Sequence, residues 1–194
     1  LYKIVNRFAP VRKIYSAALG SIIKCEKRKI LFSHIFLPFG RMKDMKVNLA
    51  EKEYCLTVLI KEINSKYFNN RLPAFVPRFT SRLKSGARYD PRKYSLTAGG
   101  SAPAEFYIVE FSESMAAAPL YDVCTELFVQ MALLFGQLND LHFVSRHGYY
   151  FNESFKSFMQ LKGFSVSKSP SRGWCNITPS EKFTFFIDSI KFNF

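Results

Sequence analysis

A single carboxylate, Glu126, lies where a helical zinc protease site would carry its general base. In such a site, a His-Glu-x-x-His segment projects two imidazoles from one helical face onto one ion, and the glutamate polarises the metal-bound water. Here the flanking ligand positions hold Thr125 and Val129. Neither side chain can replace an imidazole on zinc. The segment therefore has the spacing of a zinc hydrolase without its ligands.

Two other kinds of chemistry are open to side chains near Glu126. Asp122 lies four residues earlier on the same helical face, so both carboxylates could point towards His142 or His147 and hold a metal. Such a carboxylate-rich set suits harder ions better than zinc. The alternative is that Asp122 is an exposed first-turn residue, favoured there by the helix dipole. Cys124 is a candidate nucleophile, for which packing in the core is the commoner role.

A second group of residues has the chemistry of a phosphate-binding surface. Lys168, Arg172 and Trp174 fall within one short turn-rich segment. Basic and aromatic side chains together can contact phosphate and stack on a base. The alternative, which we favour for a lone tryptophan, is a ring packed under the last helix with two solvated cations beside it. These three residues are nonetheless the candidate nucleic-acid-binding site of the chain.

The charge of the chain is uneven. The 194 residues carry a formal net charge of +13 at pH 7. Residues 1–44 contain ten basic and two acidic residues, which accounts for +8 of that charge. Such a balance makes nucleic acid or another anionic surface a plausible partner, and the alternative is the incidental binding of polyanions that many basic proteins show. A hydrophobic fraction of 48% is ample for a core and is not typical of a disordered chain.

Cysteine usage and hydropathy predict the compartment. No two cysteines form a C-x-x-C pair, which argues against a zinc ribbon and fits a reducing environment. No run of eighteen apolar residues exists, so no transmembrane segment is expected. We expect a cytoplasmic protein, or one associated with the nucleoid or nucleus. The oligomeric state stays open.

The signals for organised structure begin near residue 45. We therefore divide the chain into a basic N-terminal extension, 1–44, and one domain, 45–194. The extension is a basic amphipathic helix, a targeting segment, or a stretch that is not normally part of the protein. The sequence does not distinguish between these three interpretations.

Capping residues and apolar spacing predict the elements of the domain. Asn48 with Glu51 is a capping box that opens a helix over 48–68. Gly136 should end a second, long helix, and Thr178 should be the N-cap of the last one. Turn residues separate the extended runs, which predict a small antiparallel sheet. The predicted helices otherwise cover 119–135 and 152–162, and the predicted strands cover 75–80, 94–98, 105–111, 164–166 and 174–177.

Four segments together resemble one known family. Residues 62–73 resemble its first helix with an N-x-x-(Y/F)-F…L-P ending, and Ser85-Gly86 before Arg88-Tyr89 resembles a glycine turn in its sheet. Residues 145–156 resemble a segment written S-R-x-G-x-Y-H-N-x-x-F-K, and Gly173-Trp174 resembles the start of a closing strand. Over roughly residues 48–187 the chain is thereby similar to the SprT-like family, which includes the Spartan DNA–protein crosslink proteases.

The resemblance implies a zincin-like α+β fold. Its parts would be an N-terminal helix, a small antiparallel sheet, a long former active-site helix and further C-terminal helices. On this alignment the three metal ligands become Thr125, Val129 and Phe151, and only Glu126 is retained. A rival register places the third ligand at His147. In either register two helical ligands are missing, so no metal or other cofactor is expected.

Three functions remain in competition. The first is a catalytically inactive domain that serves as a binding or scaffold module, associated with DNA or with DNA-bound protein. A peptide could then add as a strand in the groove between the sheet edge and helix 119–135. The second is an active zinc-dependent metallopeptidase with atypical ligands, Glu126 as its base and His147 as one ligand. The third is a decaying mobile-element remnant without function.

Overall fold

The computed structural model describes residues 48–96, 104–146 and 148–190. The chain divides into two compact units, Leu1–Lys46 with Ser95–Ala104 and Val47–Tyr94 with Glu105–Phe194. The first unit, and with it the predicted extension 1–44, lies almost entirely outside the described residues. The described elements, in chain order, are α1 (Leu49–Phe68), β1 (Ala74–Thr80), β2 (Ala87–Leu96), β3 (Ala104–Ser112), a 3-10 helix (Glu113–Ala117), α2 (Leu120–Leu138), β4 (Val144–Ser145), β5 (Tyr150–Phe151), α3 (Glu153–Leu161), β6 (Ser165–Ser169), β7 (Gly173–Thr178) and α4 (Glu181–Ser189).

Helix α1 begins and ends at asparagines. The Asn48 side chain accepts a hydrogen bond from the Glu51 N–H at 3.4 Å, which confirms the predicted cap. At the other end Asn69 adopts a left-handed conformation with φ of 53°. The Asn64 side chain then donates to the Leu72 carbonyl at 3.0 Å and accepts from its N–H at 3.2 Å. This pair of bonds fixes the turn that leads into β1.

The three-stranded sheet has the strand order β1-β3-β2. β1 and β3 pair in parallel, with Phe75 opposite Tyr107 and Phe79 opposite Phe111. The predicted antiparallel sheet is therefore wrong for this pair. Consecutive short strands suggest a simple meander, but β3 inserts between β1 and β2, so strands that are not consecutive become neighbours. The longer β2 also contains Pro91. A proline has no backbone N–H to pair with a neighbouring strand, and an outer strand tolerates it because one of its edges has no neighbouring strand.

Helix α2 runs through the buried centre of the domain. It continues past Gly136, where the sequence predicted its end. A Cβ at Gly136 would lie 2.6 Å from the Phe143 ring, so glycine is needed here for close packing rather than for a helix stop. Its apolar face is fully buried and includes Val123, Leu127, Phe128, Met131 and Leu134.

The four-stranded sheet has the order β4-β5-β7-β6. β4 lies between the predicted helices 119–135 and 152–162, where no strand was predicted. β6 pairs antiparallel with β7 as far as Thr178, which is therefore a strand residue and not the predicted N-cap of α4. That cap is Ser180, whose Oγ accepts from the Phe183 N–H at 3.3 Å. Asn152 caps α3 in the same way, accepting from the Phe155 N–H at 3.0 Å.

Aromatic rings join these elements into one core. Phe128 of α2 packs against four other rings, with centroid distances of 4.5 to 5.6 Å, from Tyr67, Phe68, Phe164 and Phe183. The predicted α+β class is confirmed at this level. None of the helices in the described ranges is long and apolar enough to cross a membrane.

Candidate functional site

Glu126 faces the turn that opens β2. A Cβ at Gly86, which has φ of +71°, would lie 3.8 Å from Glu126 Oε2. The Ala87 backbone amide lies near enough to this half-buried carboxylate to lower its pKa. The Glu126 side chain thus lies against the start of the sheet.

The charge state of Glu126 results from opposing effects. Burial raises the pKa of the Glu126 carboxyl, and the nearby charge of Asp122 raises it further. The Ala87 amide and the charge of Arg172 lower the pKa, but the net direction is upward. Burial has the largest effect because it disfavours the ionised form.

The three positions to which the predicted alignment assigns metal ligands, Thr125, Val129 and Phe151, make other contacts. Thr125 donates through Oγ1 to the Tyr121 carbonyl of its own helix at 2.7 Å. Val129 and Phe151 belong to the core, with exposed fractions of 6% and 7%. The Arg172 guanidinium carbon lies 5.9 Å from the centre of the Phe151 ring. This neighbourhood therefore combines one carboxylate, one guanidinium and apolar side chains.

Substitute metal ligands are not assembled in the part of the chain that the structure describes. There, no three His, Cys, Asp or Glu side chains come together in a group that could hold a metal ion. Asp122 and His142 are both exposed. His147, the ligand of the rival register, lies outside the described residues, so that register stays a prediction.

Cys124 has a packing role. Its side chain is fully buried, and burial raises the pKa of the thiol to about 12. A nucleophilic cysteine needs an accessible thiolate, which this environment disfavours. Packing is therefore confirmed over nucleophilic chemistry.

The candidate nucleic-acid residues are only partly brought together. Lys168 lies over the Trp174 ring at 5.8 Å from its centroid, whereas Arg172 contacts Phe151 instead. A cation that sequence reasoning missed, Lys156, lies closer to Trp174, at 4.0 Å. These contacts place Trp174 against α3 and β6. Lys156 is only weakly indicated by the sequence, because this residue lies in α3, eighteen residues before Trp174.

A second missed cation makes the same kind of contact. The Arg146 guanidinium carbon lies 4.7 Å from the centre of the Tyr150 ring. Among the described residues, no carboxylate lies within 4.0 Å of Arg146, Lys168 or Arg172. Lys156 alone of this group is paired, with Glu153 at 2.6 Å. Beside the four-stranded sheet, most of these basic side chains therefore lie against aromatic rings and lack a carboxylate partner.

In the three-stranded sheet, by contrast, the basic residues of the strands are paired with carboxylates. Arg78 and Arg88 both bind Glu110, which is 6% exposed, and Arg88 does so at 3.2 Å. These bonds lower the pKa of the Glu110 carboxyl, Arg78 having the largest effect. The remaining basic strand residues bind the carboxylates of neighbouring residues in the pairs Arg92–Asp90 at 2.6 Å and Lys93–Glu105 at 2.8 Å.

Comparison with known proteins adds no relative. No protein-family model, no curated protein and no solved structure matches the chain. The mixed α+β architecture and the geometry around Glu126 and Trp174 are therefore the basis for any functional conclusion.

Proposed function

We propose that this chain is a SprT-like, zincin-related domain that no longer hydrolyses peptides and that binds nucleic acid through the face of its four-stranded sheet. The observation that carries the nucleic-acid part is the difference between the two sheets. One pairs its cations with carboxylates, whereas beside the other Arg146, Lys168 and Arg172 lie against aromatic rings with no carboxylate within 4.0 Å among the described residues.

Loss of hydrolysis is supported by what surrounds Glu126. A general base must reach the water that it activates. Glu126 instead lies beside the Ala87 backbone amide and near the positive charge of Arg172, both of which lower its pKa. The positions that would carry metal ligands hold a hydroxyl bonded within its own helix, Thr125, and the packed side chains of Val129 and Phe151.

Nucleic-acid binding is supported by charge and by chemistry. Residues 141–180 contain five basic residues and one acidic residue, a net charge of +4 with histidines neutral. A cation that packs on a ring remains positive and can still contact a phosphate oxygen. Aromatic side chains among such cations can also stack on bases. The partner class that fits is therefore a polyanion with planar bases.

The experiment is a comparison of two variants that lose the same charge. Arg146→Gln with Lys168→Gln removes two cations that lie on aromatic rings and have no carboxylate within 4.0 Å among the described residues, and Arg92→Gln with Lys93→Gln removes two cations that are paired with carboxylates. Binding of the full chain to a fluorescent DNA oligonucleotide is measured by anisotropy at several salt concentrations. We expect at least tenfold weaker binding for the first variant and less than about twofold for the second.

The outcomes separate the parts of the proposal. Equal losses in both variants would mean that binding follows total charge, and the assignment to the four-stranded sheet would be wrong. If the parent chain does not bind DNA, the nucleic-acid function itself fails. Elemental analysis of the same preparation, with Glu126→Gln as a control, addresses hydrolysis. About one equivalent of zinc in the parent would favour the peptidase alternative.

A further inference from the structure

β2 is an outer strand, so one of its backbone edges has no neighbour among the described strands. The Ser112 N–H of β3 donates to the Gly86 carbonyl at 2.9 Å, which turns Gly86 towards β3. Alternate residues of a strand direct their backbone groups to opposite edges. Ala87, Tyr89 and Pro91 therefore direct theirs away from β3. An edge of this kind is a template on which another chain can add a strand.

Side chains of α2 already hydrogen-bond this edge. Gln130 Oε1 accepts from the Tyr89 backbone N–H at 3.0 Å. Gln137 Nε2 donates to the Pro91 carbonyl at 3.3 Å, and its Oε1 accepts from the Tyr89 hydroxyl at 2.9 Å. A side-chain amide presents the same donor and acceptor as a peptide group, so two glutamines can stand in for parts of a strand.

The spacing of three side chains along α2 is similar to the spacing of the backbone groups along the free edge of β2. Glu126, whose Oε2 lies 3.8 Å from a Cβ placed on Gly86, shares a helical face with Gln130 and lies three turns from Gln137. The eleven-residue interval between Glu126 and Gln137 spans about 16 Å of helix. The interval from Ala87 to Pro91 spans about 13 Å of strand. The flexible side chains of Glu126 and Gln137 can reach across the difference between the helix length and the strand length.

The burial of Gln130 shows that its contact is part of the fold. Gln130 is 6% exposed and interrupts a run of apolar side chains on α2. A buried amide is tolerated only where it is hydrogen-bonded. Pro91 contributes from the strand side, because it has no N–H that another strand could use. Helix and strand thus both reduce the pairing capacity of this edge.

We propose that Glu126, Gln130 and Gln137 take the place of a neighbouring strand and prevent the β2 edge from pairing with a second copy of this chain. A peptide could add here only by displacing the same contacts, so the groove between β2 and α2 is closed to strand addition. This inference is independent of nucleic-acid binding, which involves the other sheet.

The test is to open the edge in the full chain. Gln130→Ala with Gln137→Ala removes both amides, and Gln160→Ala removes an exposed glutamine of α3 as the matched control. Hydrogen exchange of the Tyr89 amide and sedimentation velocity over a range of concentrations are measured for each. We expect at least about tenfold faster exchange at Tyr89 and concentration-dependent association in the double variant alone.

In the double variant, unchanged exchange at Tyr89 would overturn the inference. Faster exchange at Tyr89 without any increase in association would also overturn it. Because Gln130 is buried, the double variant could fail to fold. Gln137→Ala alone, at an exposed position, is therefore measured in parallel, and it should also increase association relative to Gln160→Ala. No increase in that variant would likewise contradict the proposal.

Discussion

The two sheets of this domain place their cations in different surroundings. The three strands of the first sheet carry four basic residues and three acidic ones, and each cation has a carboxylate partner. Around the second sheet, Glu153 is the one acidic residue between 141 and 180. The cations there lie on aromatic rings.

This difference indicates which sheet is free to attract an anion. A paired guanidinium has already exchanged part of its hydration for a carboxylate, and a phosphate would have to compete with that partner. A cation on a ring keeps its full charge and is attracted only to the ring quadrupole. Equal numbers of basic residues therefore do not imply equal affinity for nucleic acid. Substitutions at three positions test this difference between the two sheets.

The largest effect is expected at Gly173, where β7 approaches β5. A Cβ there would lie 2.9 Å from a Tyr150 ring carbon and nearer still to the Phe151 carbonyl, and its φ is +72°. We expect Gly173→Ala to lower the free energy of unfolding by about 3 kcal/mol or more. Chemical denaturation measures this directly.

Gly86→Ala is the matched control in the first sheet. Gly86 has nearly the same φ, +71°, but an added Cβ would meet only Glu126 Oε2 at 3.8 Å. It should cost about 1 kcal/mol, from backbone strain alone. Equal losses would show that conformation rather than close approach sets the need for glycine at β7, and that the second sheet is less tightly built than described.

An intermediate effect is expected at Glu110. Glu110→Gln leaves Arg78 and Arg88 without their shared carboxylate, and we expect a loss of about 2 kcal/mol at pH 7, with part of each arginine still in water. Glu105→Gln, in the same strand, breaks an exposed pair with Lys93 and should have a clearly smaller effect on stability, because solvent screens that pair. Similar costs for both would mean that burial of the carboxylate is unimportant here.

The same substitution changes the pH dependence. The pKa of Glu110 is lowered from its ordinary value of 4.5, so its stabilising effect is fully present above that pH. The effect is lost as the pH falls through the lower folded-state pKa. The parent and Glu110→Gln should therefore converge in stability under acidic conditions. A constant difference down to pH 2 would contradict the ion-pair explanation.

The smallest effect is expected at Glu126, and it has the opposite sign. The folded-state pKa is raised above 4.5, so stability falls as the pH rises between these two values. Glu126→Gln keeps a side-chain oxygen beside the Ala87 amide and removes the charge. We expect equal or slightly greater stability at pH 7, by less than about 1 kcal/mol, and no gain at pH 4. A clear loss at pH 7 would show that the charge is needed, with Arg172 its natural partner.

Part of the fold and of the site was predictable because the signals are local. The Asn48 cap, the extent of α1 and the strand β1 follow from residues that are neighbours in sequence. Glu126 beside Thr125 is equally visible in the sequence. The wrong predictions are non-local: Gly136 lies within a helix because Phe143 needs the space, and Thr178 is a strand residue because β6 pairs with it.

Sequence alone determined the Asn48 cap, the apolar faces and the absence of imidazoles at positions 125 and 129, since each depends on residue identity within one or two turns. Tertiary structure alone decided that β3 lies between β1 and β2, that Gln130 reaches Tyr89, and that Arg172 turns to Phe151 rather than to Trp174. These depend on which distant residues become neighbours. The partner of a cation, carboxylate or ring, is chosen by strand order and packing, which no local pattern encodes.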